Sequence, residues 1–161
     1  MVLVALFKLI QWVSQEIPSM SINRFMIRME NQLKALEILK SVCGEKHPHT
    51  ALSYNNLGNV YNSLGEYQKA REAYLNALEI RKSVCGEKHS DTATSYNNLG
   101  SVYDNLKEYH KAMEAYSHAL EIRKSVYGEK HLLTMKTSAN LELISKKVKK
   151  ISQFVPNWSK I

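Results

Sequence analysis

No stretch of this 161-residue sequence holds the ~20 consecutive apolar residues that a helix needs to cross a bilayer. Its most apolar run, MVLVALFKLIQWV at the start, is short and is broken by Lys8. The run also lacks the basic leading region and small-residue cleavage site of a secretory signal, so none is expected. Cysteine is scarce: Cys43 and Cys85 stand 42 residues apart in matching contexts. Matching points on stacked helices lie roughly 8–10 Å apart, beyond disulfide reach. A reduced, cytoplasmic chain follows. Phosphate-cradling glycine loops and dinucleotide fingerprints are missing. So is a recurring Ser or Cys nucleophile set beside a base, and the acids sit near bases at helical spacing, as on a solvated face. No catalysis and no cofactor are expected.

Net charge is +7, unevenly held. Residues 35–131 carry twelve Lys/Arg against twelve Asp/Glu, residues 1–34 four against two, and residues 132–161 six against one. The basic character belongs to the flanks, so no nucleic-acid partner is expected for the middle.

What the sequence does have is a repeat. Residues 35–76 recur as 77–118 with thirty of forty-two positions identical, and 77–89 recur as 119–131 with twelve of thirteen. A fixed period of this length marks a stacked array in which each unit covers its neighbour's apolar face. Within a repeat the apolar spacing is helical: Tyr54, Leu57, Tyr61 and Leu64 form one stripe, and Tyr96, Leu99, Tyr103 and Leu106 its counterpart. Gly65 ends the first of these helices, and Lys107 stands in its place in the second. A second helix carries Tyr67, Ala70, Tyr74, Ala77, Leu78 and Ile80 and stops before Gly86, as others do before Gly44 and Gly128. Arg81 and Lys82 read as cations suited to that helix end. Pro48 and Thr50 signal the next helix start in one loop, with Asp91 or Thr92 the expected cap in the other. Gly58 with Ala70, and Gly100 with Ala112, read as small residues where the helices of a hairpin touch.

Counting Ala51 as position 1, Tyr54, Leu57, Gly58, Tyr61, Ala70, Tyr74 and Ala77 stand at 4, 7, 8, 11, 20, 24 and 27, and Tyr96, Leu99, Gly100, Tyr103, Ala112, Tyr116 and Ala119 repeat the set. This resembles the tetratricopeptide repeat (TPR) signature. The period is 42 rather than 34, and Lys82 and Lys124 occupy position 32, where that family has Pro. The longer period, the ALEIRK segment, the GEKH loop and the YNNLG opening are similar to the kinesin light chain variety, over about residues 35–141. The heptad coiled coil of a kinesin light chain is absent. The resemblance implies an all-α solenoid of antiparallel helix pairs, about seven helices. It also implies a non-catalytic scaffold that binds a protein or peptide.

Three segments follow: a degenerate helical stretch over 1–34, the array over 35–131, and a basic capping helix and tail over 132–161. Trp12 keeps the repeat register but Pro18 then falls inside a helix; Ile22 to Val42 reads as a second helix, and 133–155 as one helix stopped by Pro156. Stable arrays usually take about three or more repeats. With two complete ones, the chain is a truncated member, leans on its degenerate ends, or self-associates.

In TPR arrays the first helix lines the concave groove, so the resemblance places Leu52, Asn55, Asn59 and Asn62 there, with Thr94, Asn97, Ser101 and Asp104 in the next repeat. Of these, Asn55, Asn59, Asn62, Asn97, Ser101 and Asp104 are the candidate peptide-binding residues, since their polar groups suit a peptide backbone. Asn56 and Asn98 either join them or tie one helix to the next. A carboxylate-clamping TPR would need cations where Asn55, Ala139 and Leu143 stand, so that mode is excluded. Cys43-x₃-His47 and Cys85-x₃-His89 mimic metal-ligand spacing, but a helix-ending glycine lies inside each and the third copy has Tyr127. No metal is expected. A rival site is the basic amphipathic stretch at the C-terminal end, where Ile144, Val148, Ile151 and Val155 form a stripe among Lys146, Lys147, Lys149 and Lys150. It would make the chain a membrane-surface or calmodulin-responsive protein. The simpler reading is a cap that covers the last repeat, so a membrane partner is not expected.

Overall fold

Helices supply every regular element among the described residues, which in this computed structural model are 23–154, Phe25 excepted. The expectations for Trp12, Pro18, Val155 and Pro156 lie outside those residues. Among the described residues six helices follow one another: α1 over 26–43, α2 Pro48–Ser63, α3 Tyr67–Val84, α4 Ser90–Asn105, α5 Tyr109–Tyr127 and α6 Leu132–Phe154. The expected count of about seven takes in residues 1–22 as well. Each helix packs on the next from α2 to α6. The first helices α2, α4 and α6 also meet one another through side chains. At the N-terminal end the Lys40 ammonium of α1 lies 5.4 Å from the centre of the Tyr54 ring of α2.

The helix starts differ from expectation. Pro48 opens α2, where its missing N–H costs nothing, but the cap is the histidine of each GEKH loop rather than Asp91 or Thr92. Nδ1 of His47 accepts the His49 N–H at 3.2 Å, His89 that of Asp91 at 3.1 Å, and His131 that of Leu133 at 3.2 Å. The reason is backbone: His89 is still extended (φ −87°, ψ 147°), as a capping residue must be, whereas Asp91 already lies within the helix. Thr50 and Thr92 instead donate Oγ1 to the carbonyls of Gly44 and Gly86, 2.8 Å each, and so pin the loop to the helix it precedes.

The hairpin turns match the expected stops. The Glu66 N–H donates to the Tyr61 carbonyl at 2.9 Å, and the Glu108 N–H to that of Tyr103 at 2.8 Å. These closures demand a positive φ at the residue between. Gly65 takes 76° freely; Lys107 is held at 61° by the same bonds without glycine's freedom.

Within each hairpin the glycine faces a tyrosine ring, not the alanine expected opposite it. A Cβ on Gly58 would lie 2.6 Å from Tyr74 Cε1, and one on Gly100 2.8 Å from Tyr116 Cδ1. Ala70 and Ala112 are themselves wholly buried. Tyr74, Leu78, Leu99 and Val102 form the central core, and Tyr116 with Ile144 carries it on to α6. The Tyr74 hydroxyl donates to Asn59 Oδ1 at 2.7 Å. Burial pushes both phenols up to about 12.

Two outcomes follow. Gly100→Ala gains ~1 kcal/mol of helix propensity but drives a methyl into a buried ring, an overpacking that costs about 1–3 kcal/mol. The net expectation is a lower melting temperature, read by circular dichroism, and an unchanged or higher one would place the ring elsewhere. For the phenols, a folded value above the ordinary 10.0 means the folded state holds the proton more tightly. That contribution is complete below pH ~10 and is lost as pH rises through about 12. Phenolate absorbance and helicity followed together should show Tyr74 and Tyr116 ionising only as helix is lost, and their ionisation within an intact helix would contradict the packing.

Candidate functional site

Asn55, Asn59 and Asn62 lie along one line of α2, and Asn97, Ser101 and Asp104 along the matching line of α4. Much of this line is spent on holding the first helices together. Asn55 is buried, 7% exposed, and its Oδ1 accepts from Asn98 Nδ2 at 3.0 Å. Asn62 Oδ1 accepts from Asn105 Nδ2 at 3.1 Å, and both Asp104 oxygens accept from Lys147 Nζ, at 2.6 and 2.8 Å. Each partner lies 43 residues further on, one repeat plus one residue, so a single diagonal seam runs through α2, α4 and α6. At its last step an ion pair replaces the pair of amides. Asn97 Oδ1 accepts from Arg123 Nη1 at 3.2 Å and from Thr137 Oγ1 at 3.3 Å. Asn59 accepts from the Tyr74 hydroxyl, and in the next repeat Ser101 lies beside the Tyr116 phenol. Among the described residues, Nδ2 of Asn59 and of Asn62 has no hydrogen-bond partner, whereas their Oδ1 atoms do. Asn98 thus ties one helix to the next, and Asn105 joins the seam unannounced by the sequence.

Arg81 is not a solvated helix-end cation. It is 6% exposed, and its Nη1 donates to the Asp91 carbonyl at 3.0 Å and to Ser95 Oγ at 2.8 Å. Arg123, equally buried, donates to the Leu133 carbonyl and Asn97 Oδ1, each at 3.2 Å, and to Thr137 Oγ1. Burial pulls both guanidiniums below their ordinary value, offset for Arg81 by nearby Asp91. Each bridges the end of one hairpin to the first turn of the next. The signal lay in the verbatim recurrence of ALEIRKS, with Leu39 in place of the arginine in the earlier copy.

Cys85, His89 and Asp91 bring their ligand atoms within 4.8 Å of one another. His89 Nδ1 already accepts the helix-capping N–H. A metal on that nitrogen would displace the bond, and one on Nε2 would force a proton onto Nδ1 with the same result. The third loop keeps the capping histidine, His131, while Tyr127 and Leu133 replace the other two. Capping accounts for the histidine in all three loops.

In the basic C-terminal stretch Ile144 is 1% exposed and Val148 packs against the Tyr116 cluster, so half of the apolar stripe is spent on α5. Lys146 pairs with Glu142 at 2.7 Å and Lys147 with Asp104. Among the described residues no helix is long and apolar enough to cross a membrane.

The tetratricopeptide repeat family model matches residues 30–83, 50–125 and 91–144. No curated protein matches the chain. Among solved structures, BtubC (BKLC) from P. vanneervenii is similar at 26% identity with a TM-score of 0.73, over 79% of this chain and 51% of that one. The chain thus spans about half of BtubC's length. The nearly identical TPR-like repeats assigned to a kinesin light chain of Podosopora anserina align at 15% identity and TM-score 0.74, over 91% and 69% of the two chains. The Sgt2 TPR domain from Aspergillus fumigatus aligns at 20% and 0.58, over 89% and 80%. The last two likenesses speak for the fold alone.

Arg81→Ala should leave the Ser95 hydroxyl and the Asp91 carbonyl without their donor and cost about 2–3 kcal/mol. Arg81→Lys should restore little, since an ammonium lacks the planar fork. Lys82→Ala, one residue on, should leave the melting curve unchanged. Equal effects at the two positions would refute the bridging role.

Proposed function

The chain belongs to the tetratricopeptide repeat family, a family of protein-interaction scaffolds, and on that premise we propose that it holds an extended peptide or partner helix along the groove formed by α2 and α4. The observation that carries this reading is the division of labour within Asn59 and Asn62. Their carbonyl oxygens are taken up inside the array, by the Tyr74 hydroxyl and by Asn105, while their amide N–H groups have no partner among the described residues. Amides fixed at one end and open at the other are preorganised donors for the carbonyls of a bound main chain. Ser101 and the amide N–H groups of Asn97 extend the same line, Asp104 adds an acceptor beside it, and Asn55, buried, supports it from beneath. No part of this role requires catalysis, a cofactor or a metal, and the chain acts as a cytoplasmic scaffold. The rival reading through residues 144–155 needs an open apolar stripe, and Ile144 and Val148 are engaged with α5.

The test keeps the acceptors and removes the donors. Asn59→Asp with Asn62→Asp preserves an oxygen for Tyr74 and Asn105 but abolishes both amide N–H groups. Retention of peptides from an immobilised peptide array should fall by about 0.5–1.5 kcal/mol per lost bond, with the melting curve nearly intact. Asn55→Ala with Asn97→Ala should instead lower the melting temperature, because those amides are structural. Undiminished retention by the Asp pair would end the groove reading.

A further inference from the structure

Two clefts recur one repeat apart along the edge where the hairpins turn. The smaller, about 320 Å³, lies between the α2–α3 turn, Gly65 to Lys69, and Leu106. The larger, about 660 Å³, is lined by the residues 42 positions further on, Lys107 to Lys111 and Val148, with Ile151 and Ser152 added. The enlargement has a plain origin. Helix α4 stops at Asn105, so nothing stands beyond Leu106 at the first cleft. Helix α6 runs on to Phe154, and its last turns build a further wall.

The chemistry changes with the size. Lys107 replaces Gly65 and His110 replaces Gln68. Tyr109, Val148 and the 47%-exposed Ile151 supply an apolar floor. On the rim, Lys111 pairs with Glu108 at 2.6 Å, and Glu108 is also held by Arg71 at 3.4 Å. Lys107 of the lining has no ion-pair partner among the described residues, and neither has exposed Lys149, which follows the lining Val148 on α6. The cleft is therefore apolar within and positively charged at its edge. Its volume suits a few residues of an extended segment rather than a whole helix.

We propose that this cleft docks a short acidic segment of a partner protein, with one aliphatic side chain seated against Tyr109, Val148 and Ile151 and flanking carboxylates on Lys107 and Lys149. The site is separate from the groove: it uses α5 and the end of α6, not the asparagine line of α2 and α4. An isolated cation at an apolar edge gains most from a carboxylate brought out of water with it, and the aliphatic anchor fixes where that happens.

The probe is a fluorescein-labelled synthetic peptide, Glu-Asp-Glu-Leu-Leu-Glu-Asp-Glu, titrated by anisotropy against the full chain. Saturable binding is expected, weakened by added salt. Binding should fall roughly tenfold or more on Ile151→Glu, and again on Lys107→Asn with Lys149→Glu. Asn at 107 tolerates the positive φ, and residues 149 and 151 are exposed. Circular dichroism melts should therefore match the parent. A peptide with both leucines replaced by serine should bind more weakly. The proposal is overturned if the cleft substitutions leave affinity unchanged. It is equally overturned if Asn59→Asp with Asn62→Asp abolishes binding while Ile151→Glu does not, or if the peptide fails to bind while phosphatidylserine vesicles carry the chain down.

Discussion

A buried guanidinium at each of two junctions between hairpins fixes the geometry from which the rest follows. Charge taken out of water is tolerated only where hydrogen bonds replace the solvent, and Arg81 meets that demand with a carbonyl and a hydroxyl, both from the first turns of α4. The same turn is capped by His89 and tied down by Thr92. Three polar contacts of different kinds thus converge on one helix start. At α6 Arg123 and Thr137 repeat the bridge and His131 the cap, while Thr134, in the place of Thr92, donates to the Arg123 carbonyl instead. At the earlier junction Leu39 stands in the arginine's place, while the loop still carries its histidine cap and threonine tie. Capping and loop closure therefore do not need the arginine. What it adds is a direct bond from one hairpin into the next.

Given that spacing, the seam between first helices becomes inevitable. Each hairpin is closed by a tyrosine ring on a glycine, so its two helices approach as closely as their backbones allow. The next first helix then lies beside the last, displaced by one residue in register. Asn55 meets Asn98, Asn62 meets Asn105, and Asp104 meets Lys147. The face assigned to ligand binding is therefore also the face that holds the array together. An amide can do both because it is a donor and an acceptor at once. A carboxylate can only accept, and Asp104 of the second repeat turns both its oxygens to Lys147.

The repeat, the helices and the hairpin glycines were legible in the sequence because each depends on local periodicity or on recurrence at a fixed period. What escaped was partner identity. Gly58 was correctly placed at a close contact, but periodicity does not say which residue of the facing helix arrives there, and the ring of Tyr74 reaches over Ala70's level. Imidazole is not among the usual capping groups, so the sequence points past His89 to Asp91 and Thr92, although the Nδ1 of His89 stands where an Asp oxygen would. Arg81 shows in the sequence only as a charge near a helix end. Only the fold shows that the end of α3 runs beneath the start of α4, which turns a surface cation into a buried bridge. The candidate groove was legible as a line of polar residues, and which of their atoms are engaged was not.

The last helix shows how one substitution redirects a repeating architecture. Glu142 stands where Gly58 and Gly100 allow a tyrosine ring to sit against the backbone. A second helix packed on α6 as α5 packs on α4 would bring a ring within about 3 Å of that side chain's first carbon, closer than atoms tolerate. Glu142 instead pairs outward with Lys146. Nothing then favours a turn at Lys149, the counterpart of Gly65 and Lys107, and α6 continues straight to Phe154. The overhang carries Ile151 past the edge of the array and enlarges the cleft beside Tyr109. A residue that blocks one kind of packing has in this way opened another surface, and the added lysines give that surface a charge that the repeats themselves lack.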